Sequence, residues 1–492
     1  MLRDHDLLVD ARGPEDGAVT GVSQDSRSVR AGDLFLAWSG STSDAHEFVK
    51  DAEERGAVAA VVERFVDGAT LPQLLVSNGR KAASLAAMEI LGGPGRGLFM
   101  TAVTGTNGKT TTAWLARQLL QAKGDSRALG TLGIVGPDGA IEPGGGGLTT
   151  PGPVEIANLL RRMEMEGTRH LTLEASSHAL AQHRLDGVRF DVAVFTNLTR
   201  DHLDYHGDFD RYRAAKERLL ELVDEEGTVV MHAGDPAWSE LPISGARLRR
   251  VYIDASTNPA PKWGAERVLP DLVAQGLLLS GTGSRFLLTE SGDSATVSCP
   301  LLGRFNVENA LCAAAVARAA GLSLHEVAEG LSRASAPPGR LQVIARRPVP
   351  VVLDYAHTPD ALHRVLETLR PLYRGRVIVV FGAGGDRDRK KRPEMGRVAS
   401  GGGILPIVTS DNPRTEDPEA IIDEILTGVS GPHRRIPDRR RAIEAALAEA
   451  RPGDVVLLAG KGHEQVQVMG TERIPFDEPA IVREILGGEE ES

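Results

Sequence analysis

The stretch from Thr101 to Trp114, TAVTGTNGKTTTAW, joins a short apolar run to a helical pattern. The apolar run begins at Leu98, and the residues from Lys109 to Gly124 form an amphipathic pattern that ends in glycine. The chain has to turn tightly between the two. Backbone N–H groups at such a turn, and in the first turn of a helix, form a pocket for anionic oxygens. The stretch therefore predicts a strand, a phosphate-binding loop and a helix.

The loop matches only part of the pattern G-x-x-x-x-G-K-[ST], because Val103 stands where the first glycine would fall. Gly105, Gly108, Lys109 and Thr110 remain in the expected order. Lys109 would reach the β- and γ-phosphates, and Thr110 would ligate Mg²⁺. A chance turn of this composition is the alternative, but the strand–loop–helix context favours a nucleotide site.

Short apolar runs alternate with helical patterns along the chain. Runs that are apolar on both faces and end in small or polar residues are typical of buried parallel strands. They lie at 57–63, 98–105, 170–176, 190–197, 351–356, 376–384 and 454–460, and clear helical patterns lie at 306–321 and 358–370. This alternation predicts an α/β fold.

A chain of 492 residues is too long for one core, and about 150 residues per domain suggests three domains. Gly/Pro-rich segments at 91–97 and 335–342 mark two boundaries. We therefore predict domains at 1–97, 98–334 and 335–492. Residues 136–153 form a Gly-rich loop inside the second domain.

The composition restricts the function classes. A formal net charge of −11 argues against nucleic acid as a partner. Charges interrupt the N-terminal apolar positions and no long apolar run occurs, so we expect no signal peptide, no membrane span and no membrane partner. The two cysteines, Cys299 and Cys312, are expected to be buried reduced thiols of a cytoplasmic protein, which we expect to be a monomer.

Two polar residues follow predicted strands near the phosphate loop. Glu174 ends one apolar run, and His202 follows the next. Ligands of α/β sheets lie beyond the carboxyl ends of strands, so these side chains could hold Mg²⁺ between ATP and a second substrate. The alternatives are a helix-capping role for Glu174 and a hydrogen-bonded loop role for His202. Lys216, on a predicted helix, reads as a solvated surface lysine.

Three motifs carry a resemblance to a known family. TGTNGKTTT (104–112), EASSHALAQHR (174–184) and TNLTRDHLDYHG (196–207) resemble motifs of the Mur ligases, the ATP-dependent amide ligases that build the peptidoglycan stem peptide. The second and third motifs resemble the branch that adds the third residue of that peptide. The resemblance implies an N-terminal uridine-nucleotide-binding α/β domain, a central P-loop ATPase-like domain with a parallel sheet, and a C-terminal Rossmann-like α/β domain.

The resemblance also implies a catalytic set. It comprises Lys109, Glu174, His202 and Lys216. In the family the lysine that corresponds to Lys216 is carbamylated. This implies that Lys216, if carbamylated, would bind Mg²⁺ together with Thr110, Glu174 and His202. The chain departs from the family at His232 and Gly234, in VVMHAGDP, where Asn and a second acid are usual, although Asp235 remains.

Nucleotide contacts follow from the same resemblance. The residues expected at ATP are Gly105, Thr106, Asn107, Gly108, Lys109, Thr110, Thr111, Asn306, Asn309, Arg340, Asp354 and His357. The amides of Asn306 and Asn309 suit a purine edge, and Asp354 suits ribose hydroxyls. From the residues alone, helix capping is the alternative for Asn306.

The resemblance implies a site for the uridine nucleotide sugar and its dipeptide. The expected residues are Gln24, Ser26, Ser41, Thr42, Ser43, Thr149, Thr150, Ser176, Gln182 and Arg184. Read without the family, the first five are ordinary turn residues. Leu148 stands where an Asn is common in the family, so we expect one polar contact to be absent.

The incoming amino acid is expected in the third domain. The residues implied are Arg392, Asp411, Asn412, Pro413, Arg414, Gly460 and Glu464. The sequence DNPR at 411–414 resembles the motif of family members that add meso-2,6-diaminopimelate, whose extra carboxylate needs a paired cation. Arg414 supplies one, and Arg392 would supply another; most other arginines nearby read as solvated charge.

The resemblance thus implies an ATP- and Mg²⁺-dependent ligase that adds meso-2,6-diaminopimelate to UDP-N-acetylmuramoyl-L-alanyl-D-glutamate through an acyl phosphate. Its product would serve peptidoglycan synthesis, and through it cell shape and division. The same reaction with L-lysine or L-ornithine is the near alternative. A folylpolyglutamate synthase and a P-loop switch protein are remoter ones, and the chain has no N-K-x-D motif to support a GTPase.

Overall fold

The computed structural model describes residues 1–14, 17–40, 43–243, 245, 247–254, 262–263, 266–267 and 270–487. The chain divides into two compact units. The first consists of Met1–Val273, Thr289–Ser294 and Glu308–Val327, and the second of Ala274–Leu288, Ala295–Val307 and Ala328–Ser492.

Strands and helices alternate through most of the described chain. The strands are β1 (Leu8–Arg12), β2 (Gly21–Ser23), β3 (Asp33–Leu36), β4 (Ala59–Val62), β5 (Gln73–Val76), β6 (Phe99–Thr104), β7 (Ser126–Gly130), β8 (Gly133–Val135), β9 (Ile141–Glu142), β10 (His170–Glu174), β11 (Phe190–Phe195), β12 (Val223–His232), β13 (Arg247–Asp254), β14 (Lys262–Trp263), β15 (Glu266–Arg267), β16 (Leu272–Ser280), β17 (Gly283–Glu290), β18 (Asp293–Cys299), β19 (Gln342–Ala345), β20 (Val351–Asp354), β21 (Val377–Phe381), β22 (Ile404–Val408), β23 (Arg434–Arg435), β24 (Val455–Ala459), β25 (Val466–Met469) and β26 (Glu472–Pro475). The α-helices are α1 (Val49–Glu54), α2 (Gly79–Ile90), α3 (Lys109–Leu120), α4 (Pro153–Met165), α5 (Ser177–Ala181), α6 (Leu203–His206), α7 (Phe209–Glu217), α8 (Arg304–Ala319), α9 (Leu324–Ser332), α10 (Pro359–Leu369), α11 (Lys391–Val398), α12 (Pro418–Leu426), α13 (Arg439–Glu449) and α14 (Glu478–Ile485).

The first unit begins with a five-stranded sheet in the order β1-β5-β4-β3-β2. Its strands are parallel except β1, which runs antiparallel to β5. Small buried side chains of α2, including Ala82, Ala83 and Ala86, pack in the same core as Leu34 and Val61 of the sheet.

The central sheet of the first unit has the order β13-β12-β11-β6-β10-β7-β8-β9. It is parallel from β13 to β7 and antiparallel in β8 and β9. Glu174 pairs with Val103, and Phe195 pairs with Thr104, so β6, β10 and β11 end side by side. The phosphate loop, Glu174 and the segment that carries His202 all leave the sheet at this edge. Strands β16 to β18 and helix α8 have residues in both units.

The second unit contains a six-stranded sheet in the order β19-β20-β24-β21-β22-β23. All neighbours are parallel except β19 and β20. Strands β21 and β24 are buried throughout, because apolar cores cover both faces of the sheet. The residues Asp411 and Gly460 follow the carboxyl ends of β22 and β24.

The predicted strands are confirmed: each of the seven apolar runs contains a strand, from β4 to β24. The helical patterns at 306–321 and 358–370 correspond to α8 and α10. Both cysteines are buried and free, as expected. Within the described residues, no helix combines the length and apolar character needed to cross a membrane. The boundaries at 97 and 334 stay predictions, since the first falls inside one compact unit.

Candidate active site

The phosphate loop joins β6 to α3 through two glycines with positive φ. Gly105 has a φ of +140° and Gly108, the N-cap of α3, has a φ of +88°. A β-carbon on Gly105 would collide with Thr196 Oγ1, and one on Gly108 with Asn309 Oδ1. Both positions therefore require glycine, for backbone conformation and for space.

The segment after β11 holds the loop in place. Thr106 Oγ1 donates to the carbonyl oxygen of Thr199 at 3.0 Å and lies 3.0 Å from Tyr212 Oη. The Asn107 N–H donates to Asn197 Oδ1 at 3.0 Å. The loop is thus shaped by its own glycines and by neighbouring side chains. It leads into the start of α3, where backbone N–H groups favour an anionic ligand.

Two lysines converge on one carbonyl of this loop. Lys109 Nζ donates to Gly105 O at 3.0 Å and to Thr106 O at 2.9 Å. Lys216 Nζ donates to Gly105 O at 2.8 Å, and Lys216 is only 1% exposed. Burial, and secondarily the charge of Lys109, lower the pKa of Lys216 well below its ordinary value. The interpretation of Lys216 as a solvated lysine is therefore wrong.

Glu174 is buried at the end of β10 and accepts three hydrogen bonds. Its Oε2 accepts from Thr110 Oγ1 at 3.0 Å and Thr131 Oγ1 at 3.2 Å, and its Oε1 accepts from the Thr131 N–H at 2.9 Å. A β-carbon on Gly130 would collide with this carboxylate. The helix-capping alternative for Glu174 is wrong, because Ser176 caps α5.

His202 lies at the N-cap of α6 with a φ of 50° and is about half exposed. Its imidazole is 3.6 Å from the Asp201 carboxylate, and its ring centroid is 4.8 Å from that of His178. Asp235 Oδ2 accepts from the Leu198 N–H at 3.0 Å and so fixes the start of the segment that carries His202. The His232 ring accepts from the nearby Gly234 N–H at 3.2 Å.

A cluster of rings surrounds His178. Its ring centroid lies 4.2 Å from that of Tyr205 and 5.5 Å from that of His206. His206 Nε2 lies 3.0 Å from Ser177 Oγ. Burial, with the charges of His202 and His206, lowers the pKa of His178 to about 4, so this imidazole is neutral near pH 7.

The residues near the loop fit a hard cation. Thr110 and Glu174 place a hydroxyl and a carboxylate oxygen 3.0 Å apart, and oxygen ligands of this kind suit Mg²⁺. Over the part of the chain that the structure describes, no three His, Cys, Asp or Glu side chains converge as a metal site. Of the four residues predicted to hold Mg²⁺, only Glu174 and His202 belong to these residue types. The other two are Thr110 and Lys216.

The residues predicted for the dipeptide lie around the same edge. Thr150 Oγ1 donates to Glu174 O at 2.7 Å and accepts from the Ser176 N–H at 3.1 Å. Arg184 Nη1 donates to Thr150 O at 2.7 Å, and Arg184 Nη2 donates to Gln182 Oε1 at 2.6 Å. Thr150, Ser176, Gln182 and Arg184 therefore form one connected group next to Glu174.

Neighbouring contacts extend this group. Thr149 Oγ1 lies 3.2 Å from Thr131 Oγ1, and Gln182 Nε2 donates to Tyr205 Oη at 3.0 Å. A β-carbon on Gly152 would lie 3.0 Å from Gln24 Nε2, which puts Gln24 beside the segment that follows the two threonines.

The other residues predicted for the uridine nucleotide are less constrained. Ser26 begins a short 3₁₀ turn capped by Asp25. Ser43 O accepts from the Gly40 N–H at 2.9 Å and closes a loop. Ser41 and Thr42 lie outside the described residues. The uridine contacts stay predictions.

The two asparagines predicted at the adenine are both buried, each in its own unit. In the first unit, Asn309 Oδ1 accepts from Thr112 Oγ1 at 3.4 Å and lies against Gly108. In the second, Asn306 Nδ2 donates to Leu302 O at 2.9 Å. Asn306 lies inside α8 rather than at its N-cap, so the capping alternative is wrong.

In the second unit, Asp354 is buried and both its carboxylate oxygens accept backbone N–H groups. Leu341 and Ala356 donate to them, each at 2.8 Å. Burial raises the pKa of Asp354. The Arg340 guanidinium lies 4.9 Å from the Tyr355 ring centroid, and His357 Nδ1 is 2.8 Å from Tyr355 O. The structure thus groups the three predicted residues around Tyr355.

The residues of the DNPR motif meet the segment after β24. Asn412 Nδ2 donates to Glu464 Oε2 at 2.8 Å. A β-carbon on Gly460, whose φ is +111°, would lie 2.7 Å from Asp411 Oδ2. Arg414 has a φ of 53° and its Nη1 donates to Gly385 O at 2.7 Å. Gly385 in turn packs against the Pro413 carbonyl.

Arg392 has a different place from the one predicted. It is fully buried, and its guanidinium donates to Glu416 at 2.8 and 2.9 Å and to Glu424 at 2.8 Å. The hydrogen bond from Arg392 lowers the pKa of Glu416 to about 2. A buried guanidinium that already neutralises two carboxylates does not reach a substrate, so this placement argues against the predicted contact with the amino acid.

Sequence reasoning missed three residues at these sites. Arg387 is exposed and packs beside Gly384, which also adjoins the Arg414 guanidinium. Thr131 binds Glu174 from the end of β7. Lys461, beside Asn412, is fully buried. The signal available for Arg387 was its position two residues after the Gly384-Gly385 pair that follows β21.

Comparison with known proteins identifies the family. A model of the Mur ligase middle domain matches residues 103–317, and a model of the Mur ligase glutamate ligase domain matches residues 339–462. A third, of the Mur ligase family catalytic domain, matches residues 18–84. The chain belongs to the Mur ligase family. The predicted fold class, three Mur ligase domains of mixed α/β structure, is thereby confirmed.

Two relatives that align over nearly the whole chain carry the same name. A Mur ligase of Gloeobacter violaceus called UDP-N-acetylmuramoyl-L-alanyl-D-glutamate–2,6-diaminopimelate ligase is 43% identical, over 99% of this chain and 98% of its own. A relative of the same name from Solibacter usitatus is 41% identical, over 96% and 94%. A solved structure of an enzyme with that name superposes with a TM-score of 0.72, at 34% identity, and covers 99% of this chain and 98% of the other.

Proposed function

We propose that this Mur ligase is the ATP-dependent enzyme that joins meso-2,6-diaminopimelate to UDP-N-acetylmuramoyl-L-alanyl-D-glutamate. The observation that carries the proposal is the 43% identity, over 99% of the chain, to a relative with this named activity. The predicted phosphate loop, the Glu174 cluster and the DNPR motif all fit the same reaction.

The first step activates the acceptor. A γ-carboxylate oxygen of the D-glutamyl residue attacks the γ-phosphorus of ATP, the bond to the β,γ-bridging oxygen breaks, and ADP leaves. The N–H groups at the start of α3 bind phosphate oxygens, and Lys109, which now bonds Gly105 O and Thr106 O, turns toward the transferring group. Arg184 and Gln182 orient the dipeptide.

The residues near the loop fit Mg²⁺, which would neutralise phosphate charge when bound. Thr110, Glu174, His202 and a carbamylated Lys216 would hold it. Carbamylation replaces the amine of Lys216 with a carboxylate, and the lowered pKa of this buried amine supports the proposal, because only the neutral amine reacts with carbon dioxide.

The second step forms the amide. The free α-amine of diaminopimelate attacks the acyl carbon, inorganic phosphate leaves, and the amine loses a proton. Water competes for the acyl phosphate, so the enzyme has to hold the amine in attacking position.

Residues of the second unit would select the amino acid. We assign the distal carboxylate of diaminopimelate to Arg414 and the distal ammonium to Glu464, which Asn412 orients. Arg387 replaces Arg392 as the second cation, because Arg387 is exposed beside Arg414 while Arg392 is buried in ion pairs. L-lysine lacks the distal carboxylate and would leave the Arg414 guanidinium without an anionic partner.

The remaining expectations accompany this function. ATP and Mg²⁺ are the proposed cofactors, and the two substrates are the proposed partners. We place the enzyme in the cytoplasm as a monomer that serves peptidoglycan synthesis, and through it cell shape and division. The buried free thiols of Cys299 and Cys312 are compatible with a reducing compartment.

The test is phosphate release by the purified protein with ATP, Mg²⁺ and the uridine nucleotide dipeptide, with meso-diaminopimelate, L-lysine and L-ornithine in parallel. Release with diaminopimelate alone supports the proposal. Phosphate release with lysine or ornithine instead would support the ligase activity but contradict the proposed amino-acid specificity. Phosphate release that does not depend on the uridine nucleotide dipeptide would contradict the proposed acceptor substrate.

A further inference from the structure

Lys461, between Gly460 and Gly462, is a fully buried lysine next to the DNPR motif. Its Nζ donates to Asn412 Oδ1 at 3.0 Å and lies 3.8 Å from Asp411 Oδ1 and 3.7 Å from Glu464 Oε2. With no exposure, Lys461 does not touch a substrate. Any influence it has on the reaction passes through those three neighbours.

The contact with Lys461 fixes the orientation of the Asn412 amide. Asn412 Oδ1 accepts from Lys461 Nζ and from the Val468 N–H, each at 3.0 Å. Since both of these groups only donate, the oxygen has to face them and the NH₂ group faces Glu464 Oε2, at 2.8 Å. Loss of the ammonium would remove the stronger reason for this orientation.

Lys461 also balances charge. The carboxylates of Asp411 and Glu464 both lie within 4 Å of the Lys461 ammonium. Without it, the negative charges of Glu464 and the buried Asp411 would repel each other, and the side chains would move apart or take up a proton. Either change would alter the position of Glu464.

A second buried ion pair supports the backbone of the same site. Arg439 and Glu478 are 2.8 Å apart and almost fully buried. Arg439 also donates to Ala459 O at 2.9 Å and to Ser410 O at 3.4 Å, the carbonyls just before Gly460 and Asp411. The backbone is thus held by Arg439, while the side chains above it depend on Lys461.

We propose that Lys461 is a positioning residue for amino-acid binding, which sets Asn412 and Glu464 in the geometry that binds the distal ammonium of the incoming diamino acid. This inference rests on the proposed function. It assigns part of the binding of the distal ammonium to a residue that contacts no substrate.

The experiment compares wild type, Lys461→Met, Lys461→Arg and the control Lys390→Met. Methionine keeps the length of the side chain without its charge, and arginine keeps the charge. Lys390 is an exposed lysine of the same unit. For each protein we would measure kcat, the KM for meso-diaminopimelate, ATP and the uridine nucleotide dipeptide, the kcat/KM for L-lysine, and the melting temperature.

We expect Lys461→Met to raise the KM for diaminopimelate about tenfold or more, since a charge-assisted hydrogen bond that orders the site is lost. The KM values for ATP and the uridine nucleotide should stay within about twofold, and the kcat/KM for L-lysine should fall together with that for diaminopimelate, because both substrates carry the distal ammonium. Lys461→Arg should recover part of the affinity for diaminopimelate. Lys390→Met should match wild type.

An unchanged KM for diaminopimelate in Lys461→Met, or a parallel rise in all three KM values with a lower melting temperature, would overturn the inference. If Lys461→Met does not fold, Lys461→Gln, which also removes the charge, takes its place and is judged by the same split between KM values. If the wild-type protein does not use diaminopimelate, the proposed function and this inference both fail. If the wild-type protein uses diaminopimelate and Lys461→Met has the same KM for it, only the inference fails.

Discussion

Glu174 Oε2 accepts a hydrogen bond from Thr110 Oγ1 at 3.0 Å, which joins the end of β10 to the first turn of α3. The carboxylate has room for this contact only because residue 130 is glycine. The position of the acidic group relative to the phosphate loop thus depends on a residue of a third strand, β7.

Gly130→Ala should displace the Glu174 carboxylate and lower kcat about 100-fold, because small misplacements of groups at a reacting centre have effects of this size. The KM for diaminopimelate should change little. Gly402→Ala is the control, since a β-carbon there meets no heavy atom within 4 Å. A Gly130→Ala enzyme with wild-type kcat would contradict the proposed role of Glu174.

Lys216 should carry a carbamate in the active enzyme. Protein equilibrated with ¹³C-bicarbonate should show one bound carbamate carbon by NMR, absent in Lys216→Ala and retained in Lys123→Ala, which alters an exposed lysine. Lys216→Ala should also lower kcat about 100-fold or more, since a ligand for the cation is lost. Wild-type protein without the labelled carbon would refute the modification.

Substitutions of Arg387 and Arg392 should have different effects, one on substrate binding and the other on stability. Arg387→Ala should raise the KM for diaminopimelate about tenfold with an unchanged melting temperature. Arg392→Met should instead destabilise the protein by about 2–4 kcal/mol, because it leaves Glu416 and Glu424 without their buried partner. Titration of each substrate and thermal melts of both variants check this. If Arg392→Met raised the KM for diaminopimelate and Arg387→Ala only destabilised the protein, Arg392 would be the substrate contact.

The ion pair of Arg392 with Glu416 should make stability depend on pH. The folded-state pKa of Glu416 is about 2, and that of a glutamate in the unfolded chain is about 4.3. A depressed folded pKa means that the contribution is complete above the unfolded pKa and is lost as pH falls from there toward 2. Glu416→Gln should therefore lower the urea midpoint at pH 7, keep roughly half of that difference at pH 3 and approach wild type near pH 2. A pH-independent difference would argue against the ion pair.

The sequence was sufficient for the elements that follow from local pattern. Short apolar runs that end in polar or small residues are recognisable as buried strands from the sequence. The strands of this kind are β6, β10, β11, β20, β21 and β24. The adjacency of Glu174 to the loop followed from the rule that parallel strands present their carboxyl ends at one edge.

Other features depend on packing that no local pattern encodes. Arg392 and Arg387 belong to one charged run, DRDRKKR, and only the packing of α11 shows that the former turns into the core while the latter stays exposed. Lys216 is similar, since its helix is polar on average and its burial comes from contacts with the phosphate loop. The site at Lys461 depends on residues from two separate strand ends.

The most direct test of the proposed reaction is a competition assay. The purified protein is given ATP, Mg²⁺, the uridine nucleotide dipeptide and equal concentrations of meso-diaminopimelate and L-lysine, and the uridine-containing products are identified by mass spectrometry. We predict a product heavier by diaminopimelate minus one water, formed with equimolar ADP and phosphate, and almost none with lysine. A lysine adduct as the main product, or no uridine-containing adduct while ATP is consumed, would contradict the proposal.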